Sequence, residues 1–175
     1  MFEIRIHSRG GQGGVTAARL LALAAIHDGK NATAAPFYGA ERRGAPIVSF
    51  VRIDDKPIKV YSQIRKPDMV IVLDASVMDV VDVLQGLKSG GKVLVNSQQK
   101  KEFSGYTSSN VDLTGIALKE KLIVSGSPIL NTPVIGALAK MGIVSVDSAK
   151  KAIREMFTDE RNVKAAETAY REMSA

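Results

Sequence analysis

The chain has 175 residues, 45% of them hydrophobic and 24% charged, with a net charge of +6. That length and balance fit one soluble globular domain over 1–175, and no window approaches the roughly 18 consecutive apolar residues of a membrane span. The absence of cysteine excludes disulfides and thiolate-held zinc or iron–sulfur clusters, and His7 and His27 lie 20 positions apart, so no metal site is expected.

The first strand is predicted at Ile4–His7, beginning so close to Met1 that no secretory signal pattern fits and the cytoplasm is the expected compartment. A glycine loop follows from Ser8 to Gly14, then an Ala/Leu-rich helix from Val15 to Asp28 ended by Gly29. Asn31–Phe37 predicts a second strand, and Tyr38 to Pro46 a loop carrying Arg42 and Arg43. Ile47–Ile53 and Ile58–Tyr61, separated by the turn Asp54-Asp55-Lys56-Pro57, predict an antiparallel hairpin. The continuous apolar run Met69–Leu73 closes on Asp74 as a buried parallel strand would. Val77–Leu87 predicts a helix and Lys92–Asn96 another buried strand, while Ser97–Asn110 shows no clear element. Asp112 is placed to cap a short helix to Lys121, before a brief strand at Leu122–Val124. Asn131 or Thr132 caps a helix from Pro133 to Met141, Asp147 or Ser148 caps another to Phe157, and Asn162–Met173 forms the last. The order predicts an α/β, Rossmann-like fold: a mostly parallel sheet flanked by helices, with an antiparallel hairpin addition.

Two loops carry chemistry. Gly10, Gly11, Gln12 and Gly13 lie between a strand and a helix, where glycines permit close backbone approach and the helix N-terminus offers N–H groups to an anion. The match to a dinucleotide fingerprint is imperfect: Ser8 holds the first glycine's place, and no carboxylate ends the second strand to hold a ribose. In Glu41-Arg42-Arg43-Gly44-Ala45-Pro46, two guanidiniums leave the same sheet edge, suited to a phosphate or a carboxylate. Residues 1–66 hold 11 Lys/Arg against 5 Asp/Glu, whereas 67–175 hold 13 of each. The basic excess thus shares its half of the chain with both loops, as an anion-binding face or a face for an acidic partner would.

Taken together, Arg9-Gly10-Gly11-Gln12-Gly13, Tyr38 to Pro46, Val72-Leu73-Asp74 and Asn131-Thr132-Pro133 resemble the gamma subunit of 2-oxoacid:ferredoxin oxidoreductases, in its pyruvate and 2-oxoisovalerate branch. The resemblance runs over nearly the whole chain, with Ser8 a departure from the glycine common in the family. It implies a complex of alpha, beta, gamma and delta subunits that converts a 2-oxoacid and coenzyme A to acyl-CoA, carbon dioxide and reduced ferredoxin. Thiamine diphosphate and the iron–sulfur clusters would sit on other chains, in keeping with the missing cysteines. Gly10, Gly11, Gln12, Gly13, Arg42 and Arg43 would then hold a phosphate of coenzyme A or meet another subunit. Two other readings stand beside this one, a free-standing nucleotide-binding enzyme and a purely structural scaffold. His7, Ser8 and Asp74 have the types needed for base, nucleophile and orienter, but nothing in their spacing unites them. His7 is expected to be structural and Asp74 a cap, so no catalytic residue is assigned. No nucleic-acid motif accompanies the positive charge.

Overall fold

The computed structural model describes residues 1–37 and 44–173. Strands β1 (Phe2–Arg9), β2 (Asn31–Phe37), β3 (Pro46–Asp54), β4 (Met69–Val72), β5 (Lys92–Asn96) and β6 (Thr107–Val111) form one sheet in the order β2-β3-β1-β4-β5-β6. β3 runs against both of its neighbours, while β1, β4, β5 and β6 pair in parallel. The helices are α1 (Gly14–His27), α2 (Leu113–Lys119), α3 (Pro133–Lys140), α4 (Val146–Met156) and α5 (Arg161–Glu172), and the short strands β7 (Ile123–Val124) and β8 (Ser127–Pro128) pair separately. The expected α/β class, a mostly parallel sheet flanked by helices with an antiparallel addition, is what forms.

Alternation along the strands separates two cores. Ile4, Ile6, Val51, Met69, Ile71 and Leu94 face one way, and all five helices pack into the core they start. Val70, Val72, Val93 and Val95 face the other way, against Val77, Val83 and Leu87 from irregular chain. The helix expected at 77–87 is therefore replaced by a 3-10 turn, Ala75–Asp79, and further turns. The reason is non-local: Arg5, buried on β1, donates from Nη2 to the carbonyls of Val83 at 2.8 Å and Gln85 at 2.7 Å. Charge-assisted bonds from the sheet satisfy backbone groups that a helix would otherwise pair within itself.

Three other expectations change. The strand expected at 58–61 is absent, because β2 and β1 occupy both edges of β3 and leave it no edge to share. The antiparallel pairing falls instead between β3 and those two strands and within β7–β8. The segment Ser97–Asn110 contains the start of β6, and α4 is capped by Ser145 rather than Asp147 or Ser148. Ser145 Oγ accepts from the Ser148 N–H at 3.1 Å and donates to Asp28 at 2.6 Å.

Candidate functional site

β1 and β4 are parallel, so the glycine loop after β1 and Asp74 after β4 reach the same edge of the sheet. Gln12 joins them. Its Oε1 accepts the Arg9 N–H at 2.8 Å, and its Nε2 donates to Asp74 Oδ2 at 2.7 Å. Asp74 also accepts from the Ser76 N–H at 3.0 Å and from Ser76 Oγ at 2.6 Å, capping the 3-10 turn as expected. Burial pushes the Asp74 carboxyl upward, but the bonds from Ser76 and Gln12 and the nearby Arg9 charge outweigh it, so its pKa is lowered. Asp74 is thus held as a carboxylate that fixes the loop.

Arg9 is spent in the same way. It donates to Ser76 Oγ at 2.8 Å, the Ser76 carbonyl at 3.1 Å and the Gly44 carbonyl at 2.9 Å. Gly10 N–H donates to Ala45 O at 2.9 Å, and Gly44 N–H to Gly10 O at 3.2 Å. The glycine loop and the end of the arginine loop are therefore stitched together. Arg42 and Arg43 themselves lie outside the described residues.

A cavity of about 770 Å³ opens beside the loop, lined by Gly10, Gly11, Gly13, Val15, Ile129 and Asn131 among others. That size suits a small-molecule ligand. Gly13, at φ 88°, occupies the N-cap position of α1 without a side-chain cap. Among the described residues no acceptor meets the N–H groups of Gly13, Gly14, Val15 or Thr16. An uncapped helix start of this kind favours an anion. Ser8, the departure from the family pattern, is buried beneath Gly14, where a Cβ would stand 2.2 Å from Ser8 Oγ. Gln12 does not line the cavity; its amide shapes the loop instead.

Asn131 completes the cavity. It was expected only as an alternative cap for α3, but Thr132 takes the N-cap position and makes no side-chain cap bond. The Asn131 side chain is 5% exposed, packs on Gly13 and leaves Oδ1 without a partner. A bond from Leu130 N–H to Gln12 O at 3.0 Å holds this segment to the glycine loop. A buried, unpaired acceptor is costly unless something donates to it. The sequence signal was redundancy: two cap-forming residues preceded one helix, and only one could be needed there.

His7 stands apart from the cavity. It lies on the opposite sheet face from Ser8, so the two cannot form a catalytic pair. Its Nε2 accepts from Arg5 Nε at 3.0 Å and its Nδ1 has no partner. Burial, reinforced by the Arg5 charge and opposed by Asp82, lowers its pKa to about 4 from 6.5. The unfolded chain therefore takes up a proton at pH values where the folded chain does not. Stability should fall as pH drops from about 6.5 to about 4, by roughly 3 kcal/mol at about 1.4 kcal/mol per unit. Denaturant titrations across that range check this, because His7→Gln should remove that part of the slope; identical slopes would reject it.

A glycine loop, an uncapped helix start and an unpaired amide, gathered at the carboxyl edge of a mixed sheet, define an α/β protein with a ligand-sized cavity there. The family is shown by sequence: residues 3–172 match the pyruvate ferredoxin/flavodoxin oxidoreductase family model, and the chain belongs to that family. It is 52% identical to pyruvate synthase subunit PorC of Methanocaldococcus jannaschii, across 99% of this chain and 97% of that one. It is 50% identical to the pyruvate/ketoisovalerate oxidoreductases common subunit gamma of Thermococcus kodakarensis, across 97% and 96%. The crystal structure of pyruvate oxidoreductase subunit PORC from Thermotoga maritima superposes with a TM-score of 0.83 at 37% identity, across 99% of this chain and 97% of that one.

Proposed function

We propose that this chain is the gamma subunit of a pyruvate:ferredoxin oxidoreductase complex, with 2-oxoisovalerate as the alternative substrate, and that it works as one domain over 1–175 in the cytoplasm. The complex joins a 2-oxoacid to coenzyme A, releases carbon dioxide and passes electrons to ferredoxin. In this reading thiamine diphosphate and the iron–sulfur clusters belong to the alpha, beta and delta chains, and for the clusters the lack of cysteine here agrees. Its own part is to bind and orient coenzyme A. The observation that carries this reading is the meeting of the uncapped start of α1 with Asn131, whose buried Oδ1 has no partner among the described residues, at one cavity. Coenzyme A offers what both lack: phosphates for the N–H groups and hydroxyl or amide donors for Asn131. The thiol supplies the acyl acceptor, and the cavity's task is to hold the molecule so that the thiol reaches the partner chains.

Gly10, Gly11 and Gly13 supply the close backbone, Gln12 keeps their shape, and Arg42 and Arg43, which precede Gly44 in the chain, add charge. Gly44, next to Arg43 in the chain, is bonded to Gly10, which favours Arg43 as the arginine nearer the phosphates and Arg42 as the one facing a partner chain. Arg43→Ala should raise KM for coenzyme A roughly 10- to 100-fold with assembly intact, as expected for losing a charge-assisted bond. Arg42→Ala should instead weaken assembly, since truncating one side of a buried interchain pair costs about 2–5 kcal/mol. If both complexes assemble and turn over like the unmodified one, the arginine loop is only a solvated surface.

A further inference from the structure

The segment from Lys56 to Lys66 carries four cations, Lys56, Lys59, Arg65 and Lys66, and no acidic residue. All four are exposed, and none has an ion-pair partner among the described residues. Six cations elsewhere, Lys30, Lys88, Lys119, Lys150, Arg154 and Lys164, pair with carboxylates, whereas single exposed cations such as Arg19, Lys121 and Lys151 do not among the described residues. What sets 56–66 apart is four unpaired cations within eleven residues. Between the cations stand Val60, 43% exposed, and Tyr61, 81% exposed. The segment has no regular structure, yet its backbone is fastened to the sheet. Arg52, 3% exposed and ion-paired with Glu3 at 2.9 Å, donates to the carbonyls of Ser62 at 2.7 Å and Val60 at 3.4 Å. Ile64 is buried, and Lys88 N–H donates to Pro67 O at 3.0 Å. A strap held from beneath by the Arg52–Glu3 pair presents its outer side chains from an anchored backbone.

We propose that residues 56–66 are a docking strap for an acidic face on a partner subunit, with Tyr61 entering an apolar recess of that partner. The proposal rests on the gamma-subunit reading. An exposed aromatic flanked in the chain by cations has the composition of an interface anchor, and a backbone already fastened loses little freedom on binding. The uncompensated charge chooses the sign of the partner. A second copy of this chain is a poor occupant, since two such straps would repel and each chain carries +6.

The test is retention of this chain by affinity-tagged partner subunits in the co-expressed complex. Tyr61→Ser combined with Lys59→Glu and Arg65→Glu should reduce retention more than about tenfold, while the isolated variant keeps its thermal midpoint. Lys151→Glu, a charge reversal on α4, should leave retention unchanged. Equal retention of the strap variant and the unmodified chain overturns the strap while leaving the gamma-subunit reading intact. Unchanged retention with lost affinity for a DNA duplex assigns the strap to nucleic acid and overturns it too. If the unmodified chain is not retained at all, the gamma-subunit reading fails and the strap with it.

Discussion

Gly13→Val is expected to lower the stability of the isolated chain by roughly 2–4 kcal/mol and to remove most coenzyme A-dependent turnover from the complex. Gly13 sits at φ 88°, where a side chain carries backbone strain of about 1–3 kcal/mol, more when it is β-branched. Space adds a second cost. A Cβ there would stand 3.0 Å from Asn131 Cβ and 3.3 Å from its Cγ, and the valine methyls would extend into the surroundings of the cavity. Asn131 would have to move, and the uncapped N–H groups of α1 would be screened. For a chain of this size each kcal/mol is worth about 2–4 °C, so the thermal midpoint should fall by roughly 5–15 °C. Gly29→Val separates the two costs, since Gly29 has φ 79° with nothing within 4 Å of a Cβ. It should show the strain without the functional loss. A complex carrying Gly13→Val that turns over normally would mean the loop is only a turn.

The elements legible in the sequence are those whose surroundings repeat along the chain. Met69–Val72 and Lys92–Asn96 are covered on both faces, so their apolar runs are continuous and their assignment is direct. α1 shows the same property through its alanines and leucines. β6 was hidden because Thr-Ser-Ser-Asn-Val sits at the edge of the sheet, where half-exposed polar residues are tolerated and no alternation appears. Val77 to Leu87 has apolar residues at helical spacing, yet the carbonyls of Val83 and Gln85 belong to Arg5, 78 and 80 positions away. No local pattern records that competition. The misplaced hairpin has the same cause: Ile47–Ile53 was correctly a strand, but its partners came from β1 and β2.

The candidate site divides along similar lines. The glycine loop, Asp74 and Asn131 were each visible as separate motifs, because each breaks a regular element at a recognisable point. Their convergence was not, since it depends on a parallel crossover and on Gln12 linking loop to loop. Gln12 looks like a ligand-binding group in the sequence, while the structure spends it, with Arg9, on shaping the loop. Asn131 looked like a cap and turned out to be free. An amide's role depends on which neighbours leave it unpaired, and that is a property of the fold alone.

Asn131→Leu is expected to separate folding from ligand binding. The two side chains have nearly the same shape, so the swap removes a buried acceptor that no protein group satisfies without leaving a hole. The isolated chain should be as stable as before or more stable, by up to about 1–3 kcal/mol. A ligand donor that Asn131 meets would then be buried without a partner, at a cost that multiplies KM for coenzyme A by roughly 5 to 100. The measurement that tests this most directly is turnover of the assembled complex over a range of coenzyme A concentrations, for unmodified and Asn131→Leu chains side by side. The account predicts a raised KM for coenzyme A, an unchanged KM for the 2-oxoacid and no loss of thermal midpoint. An unchanged KM for coenzyme A, with any loss confined to the thermal midpoint, would contradict it.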